Sequence, residues 1–211
     1  MRVLELDTHA PPETVVGVIR EALNSGELVV LPTETRYGIL ARADKPSSVD
    51  NLYRAKGRSG SSPTALFVKD LESMGKWGEI TPAAQSLGKR FLPGPLTLVL
   101  RARVSWPPPL VVGGKIGCRY SSSVLIARLI EHIDYPITAT SANRSGSPDK
   151  ETIEEIRAEL GDTVAIYVDG GKLSGPVSTV VDCSADPVII LREGAIPADE
   201  VRQALTSEGV Q

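Results

Sequence analysis

Residues 28–41, "LVVLPTETRYGILA", consist of two short apolar strands joined by the polar turn of residues 32–35. No helix separates the two strands, so the connection is a direct strand–turn–strand junction. A similar junction surrounds "SADP" at residues 184–187. Short connections join antiparallel neighbours, whereas parallel strands need a crossover of about a dozen residues or more. The stretch therefore predicts a mixed sheet rather than a purely parallel one.

Helices alternate with strands on both sides of this stretch. Residues 11–26, "PPETVVGVIREALNSG", begin with prolines, carry apolar residues at helical spacing and end in glycine, which predicts a helix. A second helix is predicted over residues 46–57, "PSSVDNLYRAKG", with Val49, Leu52 and Tyr53 on one face. This alternation predicts an α/β fold with a twisted mixed sheet flanked by helices.

The composition is that of an ordinary globular protein. The 211 residues are 41% hydrophobic and 23% charged, enough to bury a full core. No internal repeat or long linker interrupts the chain, so we expect one domain over residues 1–211, with a motif-bearing core at about 10–206. A net charge of −3 and 4% aromatic residues give no general basis for binding nucleic acid. No apolar run is long enough to span a membrane, and we expect a cytoplasmic protein.

Cysteine and histidine are too few for the commonest metal and nucleophilic sites. Cys118 and Cys183 lie far apart and form no C-x-x-C pair. Neither His9 nor His132 lies near a cysteine or in a metal-binding spacing, so we predict no metal held by protein ligands. A Ser-His-Asp mechanism would have to recruit one of these two histidines.

Polar side chains collect where predicted strands begin or end. They are Thr33, Arg119, Ser141, Asn143, Ser178 and Arg192. Ligands of open α/β sheets sit in the crevice outside strand ends, and hydroxyls with arginines suit an anion. Each residue also has a structural explanation, such as a turn for "SAN", strand propensity for "STVV" or a surface ion pair between Arg192 and Glu193.

Lys56 and Arg58, at the end of the second predicted helix, also have both a ligand-binding and a structural explanation. A helix C-terminus stabilises nearby cations by about 0.3–1 kcal/mol, and this explains the pair without any ligand. No G-x-x-x-x-G-K-[ST] or early G-x-G-x-x-G motif is present. If the protein binds a nucleotide, side chains must therefore neutralise the phosphates.

Seven segments occur together in one order between Leu31 and Ile196: "LPTETRYGIL", "LYRAKGR", "FLPGPLTLVL", "CRY", "TSANRSG", "VSTVVD" and "ILREGAI". With this set the chain resembles the YrdC-type family of threonylcarbamoyl-AMP synthases. The resemblance implies a YrdC-like fold around a concave, basic cavity. It also implies the conversion of L-threonine, bicarbonate and ATP, with Mg²⁺ carried by the nucleotide, into threonylcarbamoyl-adenylate and pyrophosphate. A separate transferase complex would then use the product to make threonylcarbamoyladenosine in tRNA.

The resemblance also implies roles for single residues. Those matching the threonine side of the family's site are Thr33, Arg119 and Ser178. Those matching the nucleotide side are Lys56, Arg58, Ser141, Asn143 and Arg192, with Ser147 a looser match. Lys56 and Arg58, which form the K-x-R pair at the ATP phosphates, are the residues to which we assign catalysis.

The chain departs from the family pattern close to the amino-acid side. "KGRSGSSPTALF" lacks the usual proline after K-x-R, and Phe67 stands near the place of a frequent histidine. Arg36 replaces a small apolar residue, and Tyr120 follows Arg119 where valine is usual. Three alternatives stay open: a relative that makes carbamoyl-adenylate, an RNA-binding or regulatory paralogue without turnover, and a small-molecule-binding protein. Weak RNA binding also remains open for an active enzyme.

Overall fold

The computed structural model describes residues 1–6, 11–58 and 62–207. His9 and the segment after K-x-R at residues 59–61 lie outside the described residues. Residue 10, the start of the predicted core, and residues 208–211, the end of the predicted 1–211 domain, also lie outside the described residues. No helix in the described part of the chain combines the length and apolar character needed to cross a membrane.

The described residues form one 10-stranded sheet. Its strands are β1 Arg2–Glu5, β2 Val29–Pro32, β3 Tyr37–Leu40, β4 Ala65–Phe67, β5 Leu96–Arg101, β6 Lys115–Arg119, β7 Ile137–Ser141, β8 Ile166–Asp169, β9 Thr179–Asp182 and β10 Ile189–Arg192. The order across the sheet is β1-β8-β2-β3-β7-β4-β6-β5-β9-β10. Four neighbouring pairs are parallel and five antiparallel, which confirms the predicted mixed sheet. The junction of residues 28–41 is the antiparallel pair β2–β3.

The described residues also form seven α-helices, six between strands and one after the last strand. They are α1 Glu13–Ser25, α2 Pro46–Lys56, α3 Leu71–Met74, α4 Pro82–Phe91, α5 Val124–Glu131, α6 Ile153–Leu160 and α7 Ala198–Ser207. A 3-10 turn, Gly161–Thr163, follows α6. Helix α2 begins with a proline in its first turn and ends at Gly57, whose φ of 57° lies in the left-handed region that glycine favours. Helix α3 was not predicted, because four residues are too few to show a helical period.

The two faces of the sheet are covered unequally. On one face, α2, α4, α6 and α7 contribute to a continuous apolar core that includes Leu66, Leu98 and Cys118. On the other face, α1 and α5 pack over β2, β3 and β8 at one side of the sheet. Alternate residues of β4, β5, β6 and β9 point to this second face. There they border an open cavity instead of a helix.

Candidate functional site

A cavity of about 750 Å³ lies over the uncovered half of the sheet. Small or short side chains make its floor: Ala65, Val99, Gly117, Ala139 and Val180. A glycine and two alanines leave the backbone accessible to a ligand, which larger residues would displace. Eight of the nine residues predicted from the sequence line this cavity: Thr33, Lys56, Arg58, Arg119, Ser141, Asn143, Ser178 and Arg192. The fold therefore brings together groups that are up to 159 residues apart in the chain.

Lys56 is buried although it ends a helix, with only 3% of its surface exposed. Its amine donates to the carbonyl oxygens of Ser141 and of Asn143, the latter at 2.9 Å. In return, the amide of Ser145 donates to the carbonyl of Lys56 at 2.8 Å. Burial, and after it the charge of Arg58, lower the pKa of the Lys56 amine to about 8. The helix C-terminus explanation assumes a solvated cation, and it therefore does not account for the buried Lys56.

The loop after β7 is closed by bonds between its own side chains. The Ser141 hydroxyl donates to Asn143 Oδ1 at 2.5 Å, and Asn143 Nδ2 donates to the carbonyl of Ser147 at 2.7 Å. The turn explanation of "SAN" is thus correct for its shape, and the same side chains border the cavity. Ser147 contributes its carbonyl to this loop and is not among the residues that line the cavity.

Arg119 extends from the end of β6 and is held from one side. Its Nη2 donates to Glu34 Oε1 at 2.9 Å and to the Thr35 hydroxyl at 2.7 Å. The other carboxylate oxygen of Glu34 accepts from the Ser121 hydroxyl. The Phe67 ring lies 5.7 Å from the guanidinium carbon. Arg119 Nε is buried and has no hydrogen-bond partner, and the residue lines the cavity, where its guanidinium could pair with a ligand carboxylate.

Glu34 was not among the residues predicted for the site. Its partner Arg119 is 85 residues away, and a glutamate in a polar turn has no local pattern that indicates burial. The sequence feature that could have identified Glu34 is its position between Thr33 and Thr35. A carboxylate flanked by hydroxyls after a buried strand can hold a strand-end arginine.

Thr33 shapes the turn that carries Glu34. Its hydroxyl donates to the carbonyl of Arg36 at 2.7 Å and accepts from the amides of Thr35 and Arg36 at 3.2 and 3.3 Å. The donor of this hydroxyl is therefore already used. A substrate can meet Thr33 through its methyl group or by exchanging with the turn bond.

Ser178 and Arg192 form a second fixed pair at the cavity. Arg192 donates from Nε and Nη2 to the carbonyl of Ser178, at 3.1 and 2.8 Å, and from Nη2 to its hydroxyl at 3.0 Å. The contacts of Arg192 run to Ser178, not to its neighbour Glu193. The hydroxyl of Ser178 also lies 3.3 Å from that of Thr97.

Cations outnumber carboxylates on the described lining. The cations are Arg36, Lys56, Arg58, Lys115, Arg119 and Arg192, and the carboxylates are Asp149 and Asp182. Such a lining favours anionic ligands. Sequence reasoning assigned no site role to Arg36 or Lys115. Within residues 1–6, 11–58 and 62–207, no cluster of three His, Cys, Asp or Glu side chains is arranged to hold a metal ion.

Comparison with known proteins gives consistent matches over most of the chain. The profile of the Sua5/YciO/YrdC family, described as telomere recombination, matches residues 21–194. The threonylcarbamoyl-AMP synthase of Pyrococcus abyssi is 35% identical over 195 residues, covering 90% of this chain and 55% of that protein. The threonylcarbamoyl-AMP synthase of Bacillus subtilis is 33% identical over 205 residues, covering 95% and 58%. The crystal structure of P. abyssi Sua5 complexed with L-threonine matches with a TM-score of 0.88 at 31% identity, covering 97% and 61%. The chain thus spans little more than half the length of these relatives.

Proposed function

The chain belongs to the Sua5/YciO/YrdC family, and from this premise we propose that it is an L-threonylcarbamoyladenylate synthase. It would join L-threonine, bicarbonate and ATP as a nucleotidyltransferase. One observation carries the proposal. A single cavity contains both a strand-end arginine held by Glu34 and Thr35, Arg119, and the two cations of the K-x-R pair, Lys56 and Arg58. The first suits an amino-acid carboxylate and the second a polyphosphate.

The proposed reaction has two steps. The threonine amine first attacks the carbon of bicarbonate, and N-carboxythreonine forms with loss of water. A carbamate oxygen then bonds to the α-phosphorus of ATP while the bond from that phosphorus to the bridging oxygen of the β-phosphate breaks. Pyrophosphate takes the electron pair and leaves. Because no step needs a covalent enzyme intermediate, the demands on the protein are positioning and neutralisation of charge.

The amino acid would lie at the Arg119 side of the cavity. Glu34 and Thr35 fix Nη2, so the guanidinium would donate to a substrate carboxylate in a defined orientation. Thr33 and Ser178 border the same cavity and would contact the remainder of the amino acid. Phe67 flanks the guanidinium and would limit the space on that side.

The nucleotide would lie toward the loop after β7. Lys56 and Arg58 would stabilise the charge that develops on the phosphates, with Arg192 as a further cation. The carbonyl contacts of Lys56 use two of its three donors and aim the remaining one. Ser141 and Asn143 would contact the nucleotide directly, and Ser147 would support them through its backbone. Mg²⁺ belongs to the substrate in this proposal, because it binds nucleotide oxygens and retains several waters.

The product is an activated acyl-adenylate, so a partner must consume it. We assign that role to a transferase complex that carries the threonylcarbamoyl group to an adenosine of tRNA in the cytoplasm. Direct contact of this chain with tRNA is not required by the proposal. The net charge of −3 offers no general attraction to RNA.

Pyrophosphate release tests the proposal directly. Purified protein is incubated with Mg²⁺–ATP, bicarbonate and each amino acid in turn, and the adenylate product is identified by mass. Release that requires both threonine and bicarbonate supports the proposal, and Arg119→Lys should then raise the threonine KM with little change in the ATP KM. Release that requires carbamoyl phosphate instead would assign the chain to the carbamoyl-adenylate class. No release together with retained RNA binding would assign it to the regulatory class.

A further inference from the structure

Lys115, the first residue of β6, borders the cavity in a fixed position. Its amine donates to Asp182 Oδ2 at 2.7 Å, and 44% of its side chain stays exposed. Asp182 itself is 3% exposed, and its other oxygen accepts from the amide and the hydroxyl of Ser184 at 2.9 and 2.6 Å. One of the three donors of Lys115 is thus used to hold the amine at the rim of the cavity, and the others are available.

The strand places Lys115 at the opposite end of the floor from Arg119. Arg119, Gly117 and Lys115 are alternate residues of β6 and share the cavity face. At about 3.3 Å per residue, the Cα atoms of Arg119 and Lys115 are separated by about 13 Å. Gly117 between them has no side chain to obstruct a ligand lying along the strand.

Lys115 also stands in line with the K-x-R pair. Strands β7, β4 and β6 are neighbours, and their register brings Ser141, the residues before Ala65 and Lys115 to the same edge of the sheet. Lys56 donates to Ser141 at this edge, and Arg58 Nη1 donates to the Thr64 hydroxyl, at 3.5 Å, beside it. Adjacent strands are about 4.8 Å apart, so the contact points of Lys56 and Arg58 and the backbone of Lys115 lie on or next to three neighbouring strands along this edge.

We propose that Lys115 is a third polyphosphate-binding residue that contacts the outer phosphates of the nucleotide and so helps to hold the pyrophosphate leaving group. The nucleotide's identity rests on the proposed function, but affinity for a polyphosphate does not. The distance from Arg119 assigns the outer phosphates to Lys115, because the α-phosphate must reach the carbamate formed at the amino-acid end. The competing explanation is that Lys115 serves only to neutralise Asp182. The hydrogen bonds from Ser184 are neutral, so without Lys115 they would leave the charge of that carboxylate unbalanced.

Binding of inorganic tripolyphosphate, measured by calorimetry without Mg²⁺, separates the two explanations. We expect Lys115→Met to weaken binding about tenfold and Lys115→Arg to retain most of it, because a charge at the rim is kept. The double variant Lys115→Met/Asp182→Asn removes both charges of the ion pair, so the net charge of the cavity is unchanged. If Lys115 contacts phosphate, the double variant stays as weak as the single one.

Arg101→Met is the matched control. Arg101 is the cross-strand neighbour of Lys115, its side chain is 70% exposed and it is not a lining residue. We expect it to bind tripolyphosphate like the wild type. The inference would be overturned by any of four results. These are unchanged binding by Lys115→Met, recovery of binding in the double variant, an equal loss of binding in the Arg101→Met control, and no binding by the wild type. Wild-type protein that binds tripolyphosphate through Lys115 but releases no pyrophosphate with threonine would overturn the proposed function alone.

Discussion

The buried amine of Lys56 donates a hydrogen bond to the carbonyl oxygen of Asn143, 87 residues later in the chain, at 2.9 Å. The end of α2 and the loop after β7 are therefore one structural unit. Two of the segments by which the sequence resembles the YrdC-type family, "LYRAKGR" and "TSANRSG", meet at this contact. Loss of either partner is expected to disturb the other.

Replacing Lys56 should affect both stability and turnover. In Lys56→Met the carbonyls of Ser141 and Asn143 lose their donor, and we expect the free energy of unfolding to fall by about 1–3 kcal/mol. Pyrophosphate release should fall below detection, because the phosphates lose a cation. Chemical denaturation and the release assay measure the two effects. Arg54→Met, two residues earlier in α2 at an exposed position, is the control and should behave as the wild type. Turnover near the wild-type rate in Lys56→Met would remove this residue from the mechanism.

The pH dependence of ATP binding should report the same amine. The pKa of Lys56 is lowered from 10.5 to about 8, first by burial and then by Arg58. The charged amine is the form that attracts phosphate, so its contribution is complete below this value and is lost as the pH rises through it. We expect ATP affinity to fall about tenfold between about pH 7 and about pH 9.5.

Lys56→Arg supplies the comparison for this pH profile. Arginine remains charged throughout the range, so the profile of that variant should be flat even if its affinity is lower. Titration calorimetry in buffers of matched ionic strength measures both proteins. A parallel decline in the two profiles would show that another group is responsible.

Glu34 should act on the amino acid and not on the nucleotide. Its carboxylate accepts from Arg119 Nη2 and from the Ser121 hydroxyl, so Glu34→Gln replaces one charge-assisted bond by a weaker one. We expect the threonine KM to rise about tenfold, since a difference of about 1.4 kcal/mol corresponds to that factor. The ATP KM should stay within about twofold of the wild-type value. Equal increases in both constants would indicate a general distortion of the cavity.

Arg36 should control the order of residues 170–177. Its Nη1 donates to the carbonyl of Leu173 at 3.0 Å and contacts Glu151 at 3.4 Å, whereas its Nε is buried without a partner. Arg36→Val removes the contacts and the unpaired donor together, so we expect little change in global stability. Amide exchange in residues 170–177 should rise about tenfold, because a tertiary hydrogen bond of this segment is lost.

A control for the Arg36 experiment is available in the same network. Lys172 forms an ion pair with Glu151 at 3.1 Å, but 68% of its side chain is exposed. Exposed pairs contribute little, and Lys172→Ala should leave the exchange pattern unchanged. An identical pattern in Arg36→Val and the wild type would show that the hydrogen bond from Tyr37 to Gly171, at 2.7 Å, is sufficient to order the segment.

Local patterns in the sequence predicted most of the fold. The helix of residues 11–26, the helix face of Val49, Leu52 and Tyr53, and the hairpin around "SADP" all occur in the structure. Each depends on signals within about 15 residues, such as capping glycines and apolar periodicity. The strand order could not be predicted in the same way. It depends on pairings such as β4 with β6 and β5 with β9, which are decided by the packing of distant segments.

The same distinction applies to the site. A pattern of hydroxyls and arginines at strand ends indicates Arg119, Ser141 and Arg192 from the sequence alone. It could not show that Lys56 is buried, because a helix end normally exposes a lysine and the burying loop lies far along the chain. The Lys115–Asp182 pair was missed for a related reason, since it crosses β5 between two strands that are not consecutive.

The uncovered half of the sheet has a consequence for finding ligands. Where α1 and α5 are absent, the apolar floor is exposed to water, and a bound molecule would take the place of the missing layer. A ligand at a hundred times its Kd stabilises a folded protein by about 2.7 kcal/mol, which raises the melting temperature by several degrees. Melting curves with ATP, threonine and their mixture should therefore rank the natural ligands, and a shift with the mixture larger than the sum of the single shifts would reveal that the two substrates are bound cooperatively.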